Sequence, residues 1–276
     1  MNKAELGSAL RALRQASGRE AKAVARSAAM SNSKLSKIEN GSVMPSVLDV
    51  EQILTALGVS EEVKAEYMSA ARAAATEATA WRLYRRLGYH RKQQQIQEIE
   101  TRTTRLRLFQ PSLVPGLLQT PEYVKAVLGR KQLGEEQLAR AVGARLARQG
   151  ILYEPGRQLD FIVAEQVLRW RIVPPLMMAG QLDKLIAVSR LPTVNLRVVP
   201  LSAPQTEFSG HSFSIKDDRM VTVETVHAEL IVTDPRDVDL YIQKFAAFER
   251  VAVSGHSMRS VIEEIRDEFL REQETG

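Results

Sequence analysis

From Leu6 to Leu57 the apolar residues recur at helical spacing in short bursts, each cut off by a glycine, a proline or a few small polar residues. Helices this short are marginal on their own. They must therefore share one core, and the chain is bound to begin with a small all-helical unit. Leu6, Leu10 and Leu13 mark the inner face of the first helix, which ends at Ser17-Gly18. A second runs from about Glu20 to Ala28, and "MSNSKLSKIENG" (30–41) is the third. The fourth follows Pro45 and Ser46, turns Val47, Val50, Ile53 and Leu54 inward, and closes at Leu57-Gly58. A fifth starts at Ser60 and continues through the alanine-rich "AEYMSAARAAATEATA", whose high helix propensity and lack of bulk read as a connecting helix.

The third helix buries only Leu35 and Ile38, leaving Asn32, Ser33, Lys34, Ser36 and Lys37 outward, with no acid before Glu39. A surface helix ordinarily mixes its charges. This one is built to approach something negative. Ala25, Ala29 and Leu35, with Val24 and Ile38, fit two helices crossing over a tight turn, and Ser31 is placed to cap the third helix through the amide of Ser33 or Lys34. Asparagine, serine and lysine at a helix N-terminus can address phosphates or base edges, so these five residues are the candidate DNA contacts. The alternative is a polar face that binds nothing.

The charge distribution bears on that choice. The chain carries 38 Lys and Arg against 33 Asp and Glu, a net +5. Residues 1–95 hold 15 of the bases and 9 of the acids, or +6, leaving 23 against 24, or −1, for residues 96–276. All of the excess lies in the first third, as a nucleic-acid-binding module joined to a neutral one would place it. A basic domain with no such partner is the competing account. The sequence has no cysteine, which excludes disulfides, Cys-bearing zinc sites and thiol chemistry and points to a reducing compartment. No signal-peptide core and no apolar run of membrane-spanning length occurs, so a cytoplasmic protein without membrane attachment is expected.

Beyond the alanine-rich stretch, Trp81, Leu83, Tyr84 and Leu87 can pack while the neighbouring arginines stay wet. A helix carrying Ile96, Ile99, Leu106 and Phe109 would lead into the second domain. Thr120-Pro121-Glu122 is a helix start with cap, proline and first-turn acid. Residues 135–149 and 176–190 read as helices, whereas "LDFIVA", "NLRVVPL", "HSFSIK", "MVTVETV" and "ELIVTD" read as strands. The last three are separated by Asp217-Asp218-Arg219 and His227-Ala228, which predicts an antiparallel meander. Two closing helices, 235–253 and 257–272, would cover one face of it.

The first segment resembles the Xre and phage-repressor type of helix-turn-helix regulator in "GSALRALRQASG", "SNSKLSKIENG" and "MPSVLDVEQILTALGV". That resemblance implies a lambda-repressor-like domain, with Glu39 in a structural role, paired here with Arg11 or Arg14. Two departures stand out. Glu20-Ala21 replaces the usual Thr-Gln at the start of helix 2, and Ala29 sits where the turn glycine is common, at a cost of about 1 kcal/mol if its φ must be positive. The stretch "FQPSLVPGLLQTPEYVKAVL" (109–128) reads physically as an extended docking segment anchored by Leu113, Val114, Leu117 and Leu118. It also resembles the hallmark of the DUF5753 domain that follows such modules in actinobacterial, especially streptomycete, regulators. "RLARQGIL", "LPTVNLRVVPLSA", the segment 221–254 and "SVIEEIRDEF" agree with that family, while Ala164-Glu165 departs from its more common Asp-Glu.

The resemblance implies a transcriptional regulator of differentiation or antibiotic production, partnered by a small DUF397-domain protein in pairs sometimes described as toxin and antitoxin. An enzyme is the rival class. Gly210-His211-Ser212 and Gly255-His256-Ser257 each begin a nucleophile-elbow pattern but lack its second glycine. The histidines at 90, 211, 227 and 256 have no metal-ligand spacing, so neither catalysis nor a metal or other cofactor is expected. A small-molecule sensor needs no motif, and Tyr153, Phe161, Trp170 and Phe208 are candidates to line its pocket. The expected architecture is α+β. Residues 1–75 would form a five-helix helix-turn-helix domain, 76–95 a helical linker, and 96–276 a regulatory domain with an antiparallel sheet covered by helices. It would bind an operator in double-stranded DNA as a homodimer.

Overall fold

The computed structural model describes residues 3–80, 89–131, 133–204, 207, 208, 210–225 and 228–275. Trp81, Leu83, Tyr84 and Leu87 of the expected linker, and His227 of the expected second hairpin, lie outside the described residues. The chain divides into two units, residues 1–78 with 230–240, and residues 79–229 with 241–276.

Helices α1 (Lys3–Ala16), α2 (Ala21–Ser27), α3 (Asn32–Glu39), α4 (Val47–Leu57) and α5 (Glu61–Ala75) occupy the start of the first unit. Each contributes to one core, in which Leu6, Leu10, Leu35, Ile38, Val50 and Leu54 are completely buried. The ends follow local chemistry. Ser46 and Asp49 form a reciprocal capping box at the start of α4, and Gly58 closes it at φ 69°. The alanine-rich stretch is not helical to its end. It leaves the helix after Ala75, and Thr76–Ala80 form strand β1, hydrogen-bonded beside β7 (Ala228–Val232). Helix propensity is a weak preference there, and a neighbouring strand's ladder outweighs it.

The second unit contains helices α6 (Tyr89–Arg102), α7 (Pro121–Gly129), α8 (Glu135–Arg148), α9 (Glu165–Arg169), α10 (Pro175–Val188), α11 (Pro235–Val251, whose first turns belong to the first unit) and α12 (Gly255–Thr275). Its strands are β2 (Arg105–Gln110), β3 (Gln158–Ala164), β4 (Val194–Val199), β5 (Phe213–Lys216), β6 (Met220–Glu224) and β8 (Val253–Ser254). They stand in the order β6-β5-β2-β3-β4-β8. The expected antiparallel sheet is in fact mixed. β2, β3 and β4 are parallel, while β5, β6 and β8 run antiparallel to their neighbours. The reason is in the connections. Helices α7 and α8 return the chain from β2 to the start of β3, and α9 and α10 do the same from β3 to β4, as parallel pairing requires. The β5–β6 hairpin forms as expected, with Asp217 and Asp218 at φ 48° and 55° and Arg219 N–H donating to the Lys216 carbonyl at 3.0 Å.

Two further expectations change. Leu106 and Phe109 are on β2 and not on the helix before it, which ends at Arg102. They point to opposite faces, because strand side chains alternate. The closing helices also take opposite faces. Met258, Ile262, Ile265 and Phe269 of α12 pack with Leu106, Phe161 and Leu196, whereas Phe248 of α11 stacks on Phe109 at 4.0 Å, beside Phe213. Both faces of this sheet are therefore covered, as its parallel strands demand.

Candidate nucleic-acid interface

Helix α3 is held from below and at both ends. Leu35 and Ile38 anchor it in the core, and the Ser31 hydroxyl accepts the Lys34 amide at 3.1 Å. At its far end α1 comes so close that a Cβ on Gly7 would lie 2.2 Å from the Ile38 carbonyl oxygen. Arg14 of α1 donates from Nε and Nη2 to the two carboxylate oxygens of Glu39 at 2.6 and 2.9 Å. Of the two arginines named from sequence, Arg14 is the partner; Arg11 donates instead to Asn40 Oδ1 at 3.4 Å. The turn between α2 and α3 passes through Ala29 at φ 52°, the strained conformation its missing glycine foretold.

With the helix fixed in this way, Asn32, Ser33, Lys34, Ser36 and Lys37 are all exposed. They do not present themselves equally. Lys34 Nζ donates to Asp49 Oδ1 at 2.6 Å, so its ammonium is drawn to the buried acid that caps α4. Ser36 Oγ accepts from Asn40 Nδ2 at 3.4 Å. Among the described residues, the side chains of Asn32, Ser33 and Lys37 have no intramolecular partner, and they are the groups freest to meet a ligand. Glu39 is buried, so no carboxylate of α3 opposes an approaching phosphate.

The aromatic residues suggested for a pocket are scattered. Phe161 is wholly buried in the core, while Tyr153, Trp170 and Phe208 are 67%, 49% and 85% exposed. They do not line one cavity, because Phe161 lies on an interior strand and the other three lie in connecting segments or at a helix end. A buried charged cluster in the second unit escaped the sequence reading. Arg148 pairs with Glu100 through Nε at 2.9 Å and Nη2 at 2.6 Å, Lys92 pairs with Glu229, and Lys216 and Arg145 lie near them. The span of 137 positions from Lys92 to Glu229 leaves no motif to find. One signal was available: in β5, Ser214 and Lys216 occupy the alternate face from Phe213 and Ile215 and are nonetheless buried.

A family model described as a domain of unknown function, DUF5753, matches residues 93–264. A second, described as a helix-turn-helix domain, matches residues 5–67. No curated protein matches the chain. Among solved structures the chain is similar to a phospholipase D family member, Nuc, from Salmonella typhimurium, at 10% identity over 65% of this chain and 98% of that one, with a TM-score of 0.35. It is also similar to TrmBL2, an archaeal chromatin protein whose structure is described as showing a novel mode of DNA binding, at 14% identity, 75% and 69% coverage and a TM-score of 0.34. The phosphatidylserine synthase of Haemophilus influenzae Rd KW20 gives 14% identity, 66% and 43% coverage and a TM-score of 0.33, so less than half of that enzyme's length is spanned. Likenesses at these TM-scores carry no argument about what this chain does.

Proposed function

The chain belongs to the DUF5753 family and carries a helix-turn-helix domain ahead of that region, and from this premise we propose that it is a sequence-specific DNA-binding transcriptional regulator. The observation that supports this reading is the wet face of α3: five exposed polar or basic residues, no exposed acid, on a helix buttressed by Gly7, Arg14 and Asp49. Asn32 and Ser33 at its N-terminus would address base edges or phosphates, and Lys37 a phosphate. Lys34 would have to leave Asp49 to do the same. We assign the module to the Xre type, acting by binding and not by catalysis, and as a homodimer because one such module reads a half-site.

The second domain is proposed to receive a small DUF397-type partner protein that modulates DNA binding, in an actinobacterial regulator of development or antibiotic production. The family resemblance supports this part of the reading. A gel-shift titration against the chain's own upstream DNA at two salt concentrations, with and without the partner, tests both parts. Asn32→Ala should weaken binding to the preferred site more than to unrelated DNA. Lys37→Ala should weaken both alike and lower the salt slope by about one. Unchanged affinity in both variants would remove α3 from the interface, and affinity insensitive to the partner would remove the protein-operated switch.

One observation favours a second reading, a regulator that senses a small molecule: the charged group around Arg145 and Lys216 lines a cavity in the second domain.

A further inference from the structure

The cavity has a volume of about 190 Å³, roughly the space of six liquid waters, and opens within the second unit between α6, α8 and the sheet. Strand alternation builds its floor. Leu106, Leu108, Ser214, Lys216 and Thr222 lie on one face, because the register pairs Leu106 with Lys216, Leu108 with Ser214, and Ser214 with Thr222. Leu113 and Gln119 come from the segment after β2, Val127 from α7, Ile99 and Glu100 from α6, and Arg145 and Arg148 from α8.

The charges around this space do not balance locally. Glu100 is engaged by Arg148 and Glu229 by Lys92. Of the lining carboxylates that leaves Glu224, which is exposed, against Arg145 and Lys216. Lys216 is buried and, among the described residues, donates only to neutral hydroxyls, Ser214 Oγ at 2.9 Å and Thr222 Oγ1 at 2.8 Å. Arg145 donates from Nη1 to the neutral Gln119 Oε1 at 3.2 Å, and its buried Nε has no partner among the described residues. Gln119 is itself fixed by donating to the Val114 carbonyl at 2.7 Å, so its acceptor is preset toward Arg145. Neither cation belongs to an ion pair among the described residues. Burial pushes Lys216 down to about 8 and Arg145 down to about 10, outweighing the opposing pull of Glu100 and Glu224 on both and of Glu229 on Lys216.

We infer that this cavity is a binding site for a small organic anion, a carboxylate whose charge is received by Arg145 and Lys216 and whose apolar body lies against Leu106, Leu108, Leu113 and Val127. A buried cation without a counter-charge is costly. A carboxylate would supply the missing charge and accept the unused donors, and a fork of guanidinium nitrogens suits its two oxygens. The apolar walls select for a hydrocarbon portion that inorganic phosphate lacks. The small volume limits that portion to a few carbons.

The inference deepens the sensing reading by naming its ligand class, while binding itself is measured directly on the full chain. Isothermal titration with sodium acetate, butyrate, hexanoate and benzoate, matched in ionic strength with sodium chloride and with inorganic phosphate as a separate arm, is the test. Saturable binding that strengthens with the apolar tail until the cavity is full is expected. Lys216→Met and Arg145→Gln should each weaken it by about tenfold or more. Leu113→Trp, which keeps both charges and fills the space, should abolish it. No saturable binding of any carboxylate, equal binding by the two charge variants, or phosphate binding with no gain from a tail would each overturn the assignment. A carboxylate that binds but leaves DNA affinity unchanged supports the site and removes the sensing reading alone.

Discussion

Arg14 and Glu39, 25 positions apart, close a two-point clasp between α1 and α3, with Nε to Oε1 at 2.6 Å and Nη2 to Oε2 at 2.9 Å. The carboxylate is buried and the guanidinium mostly so, at 7% and 15% side-chain exposure. Glu39→Ala would leave a largely desolvated arginine without its acceptor. A cost of about 2–4 kcal/mol is expected, read by urea unfolding, with DNA affinity falling only as far as the folded fraction does. A loss below about 0.5 kcal/mol would mean that the pair is no stronger than a surface contact.

Gly7 should resist substitution for a different reason. Its absent side chain lets α1 lie against the last turn of α3, where a Cβ would meet backbone oxygen at 2.2 Å. Backbone cannot step aside as a flexible side chain can. Gly7→Ala is expected to cost about 3 kcal/mol, the top of the usual range for overpacking, even though alanine is the better helix former. Thermal unfolding of the purified variant checks this, and a gain in stability would show that α1 and α3 can separate without penalty.

Ala29 offers the reverse case. It is exposed and sits at φ 52°, where a Cβ is unfavourable by roughly 1–2 kcal/mol. Glycine removes that strain and returns part of the gain as unfolded-state entropy. Ala29→Gly should therefore stabilise the chain by about 0.5–1 kcal/mol. The midpoint of chemical denaturation would report it, and a drop in that midpoint would contradict the strained turn.

Lys216 makes stability depend on pH. Burial lowers its folded-state value from 10.5 to about 8, so the folded chain gives up this proton before the unfolded chain does. Glu229, Glu100 and Glu224 act to raise it and Lys92 to lower it, but burial dominates. The cost of the buried charge is fully present below about 8 and is relieved as pH rises from there toward 10.5. Lys216→Met should thus stabilise the chain at neutral pH, by no more than roughly 3 kcal/mol and less the two hydroxyl bonds it gives up. The advantage should shrink above pH 8, and a constant difference from pH 7 to 10 would place the proton elsewhere.

The helical ends of the first unit were legible because each is a local event. The Ser31 cap, the helix start after Pro45 and Ser46, the Gly58 stop and the inward set Val47, Val50, Ile53 and Leu54 depend on residues within one or two turns of one another. The outward set on α3 was legible for the same reason, since Leu35 and Ile38 fix which side is dry. Which of those outward residues is free was not. Lys34 is drawn to Asp49, 15 positions away, and only the packing of α4 against the helices before it brings that acid within reach.

In the second unit the sequence by itself determined most of the alternation of strands and helices, because period-two and period-3.6 patterns are written into the side chains, but β2 was read as the end of a helix. It did not determine which strands are neighbours. Strand direction in the sheet depends on the paths of the intervening helices, and β2 meets β3 some 50 residues later in the chain. The cavity belongs to the same class of fact. Lys216, Arg145 and Gln119 are unremarkable in their own segments, and each becomes a candidate ligand only when tertiary packing removes water from around all three. Periodicity and caps are short-range properties that one strand or helix can specify alone. Counter-charge and desolvation are properties of a place, and the folded chain alone creates the place.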